Sequence, residues 1–295
     1  MPNASGPEDR AHSSRIADIE ANGDLLRELH HNYLETYQGV ARSIQGGRVD
    51  RCGNLTLVRT GVPEASFNPV FALESPGDVK DLPDAIRRAF EIDSIPWMLV
   101  TTSATVPVME PVIEELHLQQ VFALPGMVRP LPMESGGSLP HDLLIRRMAS
   151  SQELGAATTH WPLEFWPHIW SFFAALLETK RNYSSSLQGV GIYLGEVAGS
   201  PASTSLRVTT GAVVGVYMVM TLEAFRHRGV GTAMTWRAAQ DGIEEGGSIS
   251  YLQASEMGRP LYEKLGYRAV EEYQIWVSPR VRQEHENAET GRRNP

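Results

Sequence analysis

Cysteine is almost absent: Cys52 is the single one in 295 residues. One thiol excludes an internal disulfide framework and any cysteine-rich zinc site, and such sparse usage suits a reducing cytoplasm. Long apolar runs are missing too. The longest apolar-rich stretch, Gly211 to Leu222, falls well short of the ~20 residues that span a bilayer. The opening MPNASGPEDRAHSSR has none of the apolar core a signal peptide needs. Asn54-Leu-Thr and Asn182-Tyr-Ser therefore carry no weight as glycosylation sites. Positive charge is in deficit: 26 Lys and Arg stand against 35 Asp and Glu, a net charge of −9. That balance argues against wrapping nucleic acid or docking broadly on anionic lipid.

What is present suffices for globular cores. Hydrophobic residues make up 42%, charged residues 21% and aromatics 8%, and the length suits about two domains of roughly 150 residues. Residues 1–15 and 281–295 are polar, lack apolar periodicity and read as disordered tails. The Pro-, Gly- and Ser-rich stretch 131–140 reads as a linker between a domain at 16–130 and another at 141–280.

The first half alternates helical and strand patterns. Ile16 to Val40, Val79 to Phe90 (with Asp78 as cap) and Met109 to Leu118 carry helical spacing. Leu55 to Arg59, Val70 to Leu73, Trp97 to Thr101 and Val121 to Leu124 are short apolar runs with strand character. In the second half, Leu143 to Met148 reads as a strand, Ser150 or Ser151 opens a helix, and Phe165 to Leu177 is a strongly apolar helix. Strands at Gly189–Val197, Thr204–Val208 and Val213–Thr221, parted by turn-rich segments, predict an antiparallel meander. A helix at Gly229–Asp241, a strand at Ser248–Gln253, a helix at Arg259–Leu265 and a strand at Val270–Val277 complete the half. The fold class is mixed α/β, in the α+β sense. Adjacent positions do not share a helix face. The run His30-His-Asn-Tyr33 is accordingly read as helix surface rather than as a metal site.

Two segments carry chemistry. Arg226-His-Arg-Gly-Val-Gly-Thr232 follows an apolar strand and opens a helix. Gly229 and Gly231 permit close approach of a ligand to the backbone, and the first-turn N–H groups with the helix dipole favour an anion. Further on, Leu261-Tyr-Glu-Lys-Leu-Gly-Tyr267 pairs Leu261 with Leu265 at i,i+4 and ends on Gly266, a good helix terminator. Taken by itself, Tyr262 there is a core aromatic.

Together these segments resemble the GCN5-related N-acetyltransferase (GNAT) superfamily over about Asp142 to Val277. Arg226, Gly229 and Gly231 match its Gln/Arg-x-x-Gly-x-Gly/Ala coenzyme motif, and Tyr262, Leu265, Gly266 and Tyr267 match its later Tyr…Leu-Gly-Phe/Tyr signature. The resemblance implies a mostly antiparallel central sheet flanked by helices. It implies that acetyl-CoA lies between the strands Val213–Thr221 and Ser248–Gln253. Main-chain groups of Val219, Met220 and Thr221 would hold the acetyl carbonyl and pantetheine arm. The N–H groups of Arg226, His227, Arg228, Gly229, Val230, Gly231 and Thr232 would hold the pyrophosphate. A primary amine of a small molecule would attack the thioester directly, the Val219 amide would stabilise the oxyanion, and Tyr262 would protonate the thiolate.

The chain departs from the family pattern twice. Ser255 stands where an Asn often contacts pantetheine, and no Glu or Asp lies between Val213 and Thr221 to serve as base. Water, Glu196, Glu164, His160 or His168 are the substitutes. The first half has no coenzyme motif, but its Trp97 strand, its Pro111–Leu118 helix and the Leu124-Pro-Gly-Met127 segment look similar to a degenerate GNAT half that shapes an acceptor cleft. The expectation is a cytoplasmic, metal-free N-acetyltransferase, monomer or homodimer, without nucleic-acid or membrane partners. Transfer of a longer acyl chain, and a coenzyme A-binding module without turnover, are the alternatives.

Overall fold

The computed structural model describes residues 24–90, 94–134, 140–159, 161, 168–182 and 187–283. Both sequence-predicted tails lie almost wholly outside these residues, as do positions 16–23 of the first helix, 135–139 of the linker, and Phe165. The described start of the second tail, 281–283, corrects one expectation. It continues a helical turn in which the Arg282 N–H donates to the Ser278 carbonyl at 3.1 Å.

The chain packs into two compact units, each discontinuous in sequence. Among the described residues, one holds 24–33, 126–149 and 187–270; the other holds 34–125, 150–182 and 271–283. The sequence halves 16–130 and 141–280 and the compact units are therefore different divisions of the chain. Helix α1 (Asp24–Ser43) and strands β5 (Gln119–Pro130) and β11 (Arg268–Val277) each run through both units.

In the unit containing Glu271–Val277, strands are ordered β1 (Arg48–Cys52), β2 (Leu55–Arg59), β3 (Pro69–Ala72), β4 (Met98–Thr102), β11. All neighbours are antiparallel except β3 and β4, which run parallel and are paired along the whole of β3, from Pro69↔Met98 to Ala72↔Thr101. Helices α2 (Leu82–Phe90) and α3 (Val106–Glu115) bury Leu82, Ile86, Phe90, Met109 and Val112 against Leu57, Val70 and Leu99. Tyr37 of α1 meets Phe71 and Phe172 edge-on, with centroids 5.6 and 5.4 Å apart. Phe172 belongs to α5 (Ile169–Asn182), which is preceded by α4 (Ser151–Thr158). Ser150 caps α4 by accepting from the Glu153 N–H, the S-x-x-E arrangement of a capping box.

The other unit repeats that plan. Its order is β6 (Leu143–Met148), β7 (Leu187–Val197), β8 (Ser200–Thr210), β9 (Val213–Thr221), β10 (Ile249–Gln253), then the 126–130 part of β5. Strands β7, β8 and β9 form the expected antiparallel meander and β6 pairs antiparallel with β7; β9 and β10 are parallel, and β5 closes antiparallel on β10 with Met127 opposite Leu252. Helix α6 (Val230–Asp241) covers the sheet, and short α7 (Arg259–Lys264) follows β10. Val214, Val216, Val230, Met234, Leu252 and Leu265 lie in one core. In each unit the last strand of the series thus comes from the other half of the sequence.

The surface reading of His30–Tyr33 is also corrected. His30 is 7% exposed, Asn32 is fully buried and Tyr33 is 4% exposed; only His31 faces out. From Leu29 to Ala41 helix α1 is buried around most of its circumference, so adjacent residues go inside together.

Candidate active site

Strands β9 and β10 part company. Their pairing runs Ile249↔Val213, Ser250↔Val214, Tyr251↔Gly215 and goes no further, while β9 continues to Thr221. Burial along β9 changes at the same place, from buried up to Tyr217 to half-exposed from Met218 onward. The opposite neighbour marks it as well: Leu206 faces Tyr217 but Thr204 faces Met220, so Met218 and Val219 share one residue of β8. Met218 takes the left-handed region (φ 51°), which makes this a β-bulge. Hydroxyls of β8 tie down the far side. Thr204 Oγ1 donates to the Met218 carbonyl at 3.0 Å and Ser203 Oγ to the Met220 carbonyl at 2.7 Å. Main-chain groups alternate sides along a strand. With Met220 turned to β8, those of Val219 and Thr221 face the side that β10 has left.

The turn after β9 leads into the same region, but it corrects the expectation for one residue: the Arg226 N–H is not open to a ligand, since it donates to the Glu223 carbonyl at 3.1 Å. Leu222 donates to the Ala202 carbonyl, Glu223–Phe225 make a single 3-10 turn, and Arg226 Nε bonds back to the Thr221 carbonyl at 3.1 Å. His227 (φ 59°) and Gly229 (φ 78°) both take the left-handed region as the chain turns into α6. Arg228 is held by Asp142 at 3.2 Å and lies 5.5 Å over the Phe225 ring. Val230, Gly231 and Thr232 form the first turn of α6, whose N–H groups have no acceptor within the helix. A side chain on Gly231 would meet Leu261 Cδ1 at 3.2 Å and Thr221 Oγ1 at 3.5 Å, so α6, α7 and the end of β9 converge there.

Tyr262 lies on α7, 8% exposed, in the core with Val216, Val230 and Leu252 and edge-on to Tyr267 at 5.9 Å. Burial pushes its phenol up to about 12; the Thr235 hydroxyl of α6 acts in the opposite direction and more weakly. Thr235 donates to the Gly231 carbonyl at 2.9 Å, which links the acid candidate to the anion-binding turn. Ser255 is exposed, and its Oγ accepts from the Gly258 N–H at 3.1 Å, closing the turn before α7.

The predicted residues from Val219 to Thr232, Ser255 and Tyr262 therefore gather at one end of β9 and β10. The candidate bases fare differently. Glu196 is held by Arg146 at 2.5 Å. His168 opens α5, where its carbonyl accepts from Phe172. His160 and Glu164 lie outside the described residues. The bulge at Met218 and the role of Thr235 leave no mark in the motifs, and Asn32 stands there only as part of a run with a surface pattern. Gly215 was the available signal, since an isolated glycine within a strand marks a bulge or a close approach.

Residues 156–267 match the family described as "Acetyltransferase (GNAT) family". They form a GNAT domain. Among solved structures, a GCN5-related N-acetyltransferase from Kribbella flavida is similar over 82% of this chain and 92% of its own, at 20% identity and a TM-score of 0.59. A GCN5-related N-acetyltransferase-like protein from Streptococcus suis covers 85% and 99%, at 13% identity and 0.55. A tandem GNAT protein from the clavulanic acid biosynthesis pathway covers 88% and 96%, at 14% identity and 0.53. The chain has the GNAT fold, with a large, mostly antiparallel sheet flanked by helices. No curated protein matches it. Among the described residues, no helix is long and apolar enough to cross a membrane.

Proposed function

We propose that this chain is an acetyl-CoA-dependent N-acetyltransferase that acts on a primary amine of a small molecule by direct attack. The observation that carries this reading is that the parting of β9 and β10, the bulge at Met218 and the anion-binding turn into α6 all occur at one place. Among the described residues of the other unit, the parallel pair β3–β4 stays paired along the whole of β3.

The residues present fit a nucleotide thioester. The N–H groups of Val230, Gly231 and Thr232 suit its pyrophosphate, and the vacated side of β9 suits an extended arm. When bound, the coenzyme supplies an activated acetyl group. The Val219 N–H faces the space where the carbonyl oxygen would gain charge as the amine nitrogen bonds to carbon. Tyr262 would give its proton to sulfur as the carbon–sulfur bond breaks, and the amine would lose its proton to water. In this reading the chemistry belongs to 141–280, completed by segments of 16–130. The acceptor is a small amine met in the cytoplasm, the net charge of −9 is compatible with a cationic one, and the protein works as a monomer or homodimer.

The first test is calorimetric titration with acetyl-CoA. Wild type should bind, and Gly231→Trp, which collides with Leu261 and Thr221, should lose most of the affinity. Equal affinity, or none in wild type at millimolar coenzyme, would disprove the assignment. Release of thiol from acetyl-CoA and longer acyl-CoA thioesters with a panel of amines then separates acetyl transfer from longer-chain transfer and from binding without turnover.

A further inference from the structure

One amide ties the beginning of α1 to the strand that opens the site. Asn32 is fully buried. Its Nδ2 donates to the Val208 carbonyl at 3.0 Å and to Thr210 Oγ1 at 2.8 Å, and reaches the Val213 carbonyl at 3.3 Å. Its Oδ1 accepts from the Tyr217 hydroxyl at 2.5 Å. A buried amide is costly unless its donors and acceptor are met; here both strands of the β8–β9 hairpin meet them. The sequence half that supplies Asn32 is the one expected to be accessory.

The amide also takes the place of a side chain. A Cβ on Gly215 would lie 2.1 Å from Asn32 Oδ1 and 2.4 Å from Tyr217 Cε2. Gly215 is the last residue of β9 paired with β10. The next residue on that face is Tyr217, its ring stacked on Tyr33 at 6.1 Å and edge-on to Tyr251 of β10 at 6.4 Å. Immediately after it comes Met218, where the bulge begins. From the end of the ladder to the start of the bulge, β9 is thus fastened to Asn32.

We propose that Asn32 is a positioning residue of the acyl-transfer site: through Tyr217 it sets where β9 leaves β10, and so where the Val219 main chain presents itself. An ordinary buried amide would only stabilise the hairpin. Asn32 is bonded to the residue between the last rung and the bulge, so disturbing it moves the reacting end of β9.

The inference rests on the acetyl-transfer reading, and the two fail differently. Tyr217→Phe removes one hydroxyl and keeps the ring. It should lower kcat for thioester cleavage, with the best amine of the panel, by about 10-fold, since a misplacement of about 1 Å can cost up to ~10²-fold. Its acetyl-CoA affinity should stay near that of wild type. Asn32→Leu should lower kcat similarly, and the double variant should fall no further than the worse single one, because both break one coupled unit. Gly215→Ala, which pushes on the same amide, should share this signature. If Asn32→Leu does not fold, Tyr217→Phe and Gly215→Ala decide. Unchanged kcat with only a lower melting midpoint would overturn the proposal and leave Asn32 a structural residue. Additive losses in the double variant would overturn it too. Wild type that binds no acetyl-CoA overturns the acetyl-transfer reading itself, and this inference with it.

Discussion

A phenol in an apolar cluster keeps its proton, and that bears directly on what Tyr262 can do. Held at about 12 by burial, it is protonated across the neutral and moderately alkaline range and remains a donor there. A departing thiolate of ordinary pKa near ~8.5 gains from that proton without requiring it. Tyr262→Phe should therefore slow turnover by roughly 10²-fold with acetyl-CoA affinity unchanged. Steady-state rates beside calorimetry check this; undiminished turnover would remove the acid role. The same burial links stability to alkali. The folded phenol sits above the unfolded value of about 10, so its contribution is complete below pH ~10 and is lost as pH rises toward 12. Tyr267, raised in the same direction by burial, adds to the loss. His30 works at the other end. Burial holds it down at about 4, so the unfolded chain takes up a proton first, and stability falls as pH drops from ~6.5 toward 4 by up to about 3 kcal/mol. His30→Gln should flatten that acid slope in denaturant melts at stepped pH; an unchanged slope would show that the imidazole is not the group responsible.

Among the elements, the meander β7–β9 and helix α6 are legible because turn residues and apolar periodicity mark their ends. What the pattern could not carry was register. The bulge at Met218 exists only as a mismatch between β8 and β9, and the parting of β9 from β10 only as pairing that stops at Gly215. Buried polar residues were illegible for a similar reason: Asn32 and Arg207 look like surface until their partners are known. Arg207 of β8 is fully buried and bonded at 2.7 Å to Glu245, which also lies 3.5 Å from Arg147. Gly189 of β7 leaves the room, since a Cβ there would sit 1.6 Å from Glu245 Oε2. Removing one member of such a pair leaves an uncompensated charge inside. Glu245→Ala should cost about 3–5 kcal/mol in denaturant titration, whereas Glu245→Asp should cost less. A loss below about 1 kcal/mol would mean that the pair behaves as an exposed one.

At the scale of the molecule, the sequence pattern divides into two halves of like class and size with one cut at 131–140, whereas each compact unit draws on both. Strand β5 shows why. Its middle carries Pro125-Gly126, which reads as a break, yet the strand runs through that point from Gln119 to Pro130. Only the presence of β10 as partner makes 126–130 a strand of that unit. A fragment of residues 141–280 keeps both family motifs and still lacks what completes the unit. It loses Met127, Leu131 and Met133 from the core, exposes β10 as an unpaired edge, and loses Asn32 from the β8–β9 hairpin. Its own 271–277 segment would lose its partner β4 as well. Open, apolar edges of this kind promote association. The fragment should accordingly give no cooperative thermal transition by circular dichroism and should elute as aggregate, whereas residues 24–283 should melt cooperatively and bind acetyl-CoA like the whole chain. A monomeric 141–280 fragment that melts cooperatively and binds the coenzyme would show that the contributed strand and the amide are dispensable, and that the halves are independent domains after all.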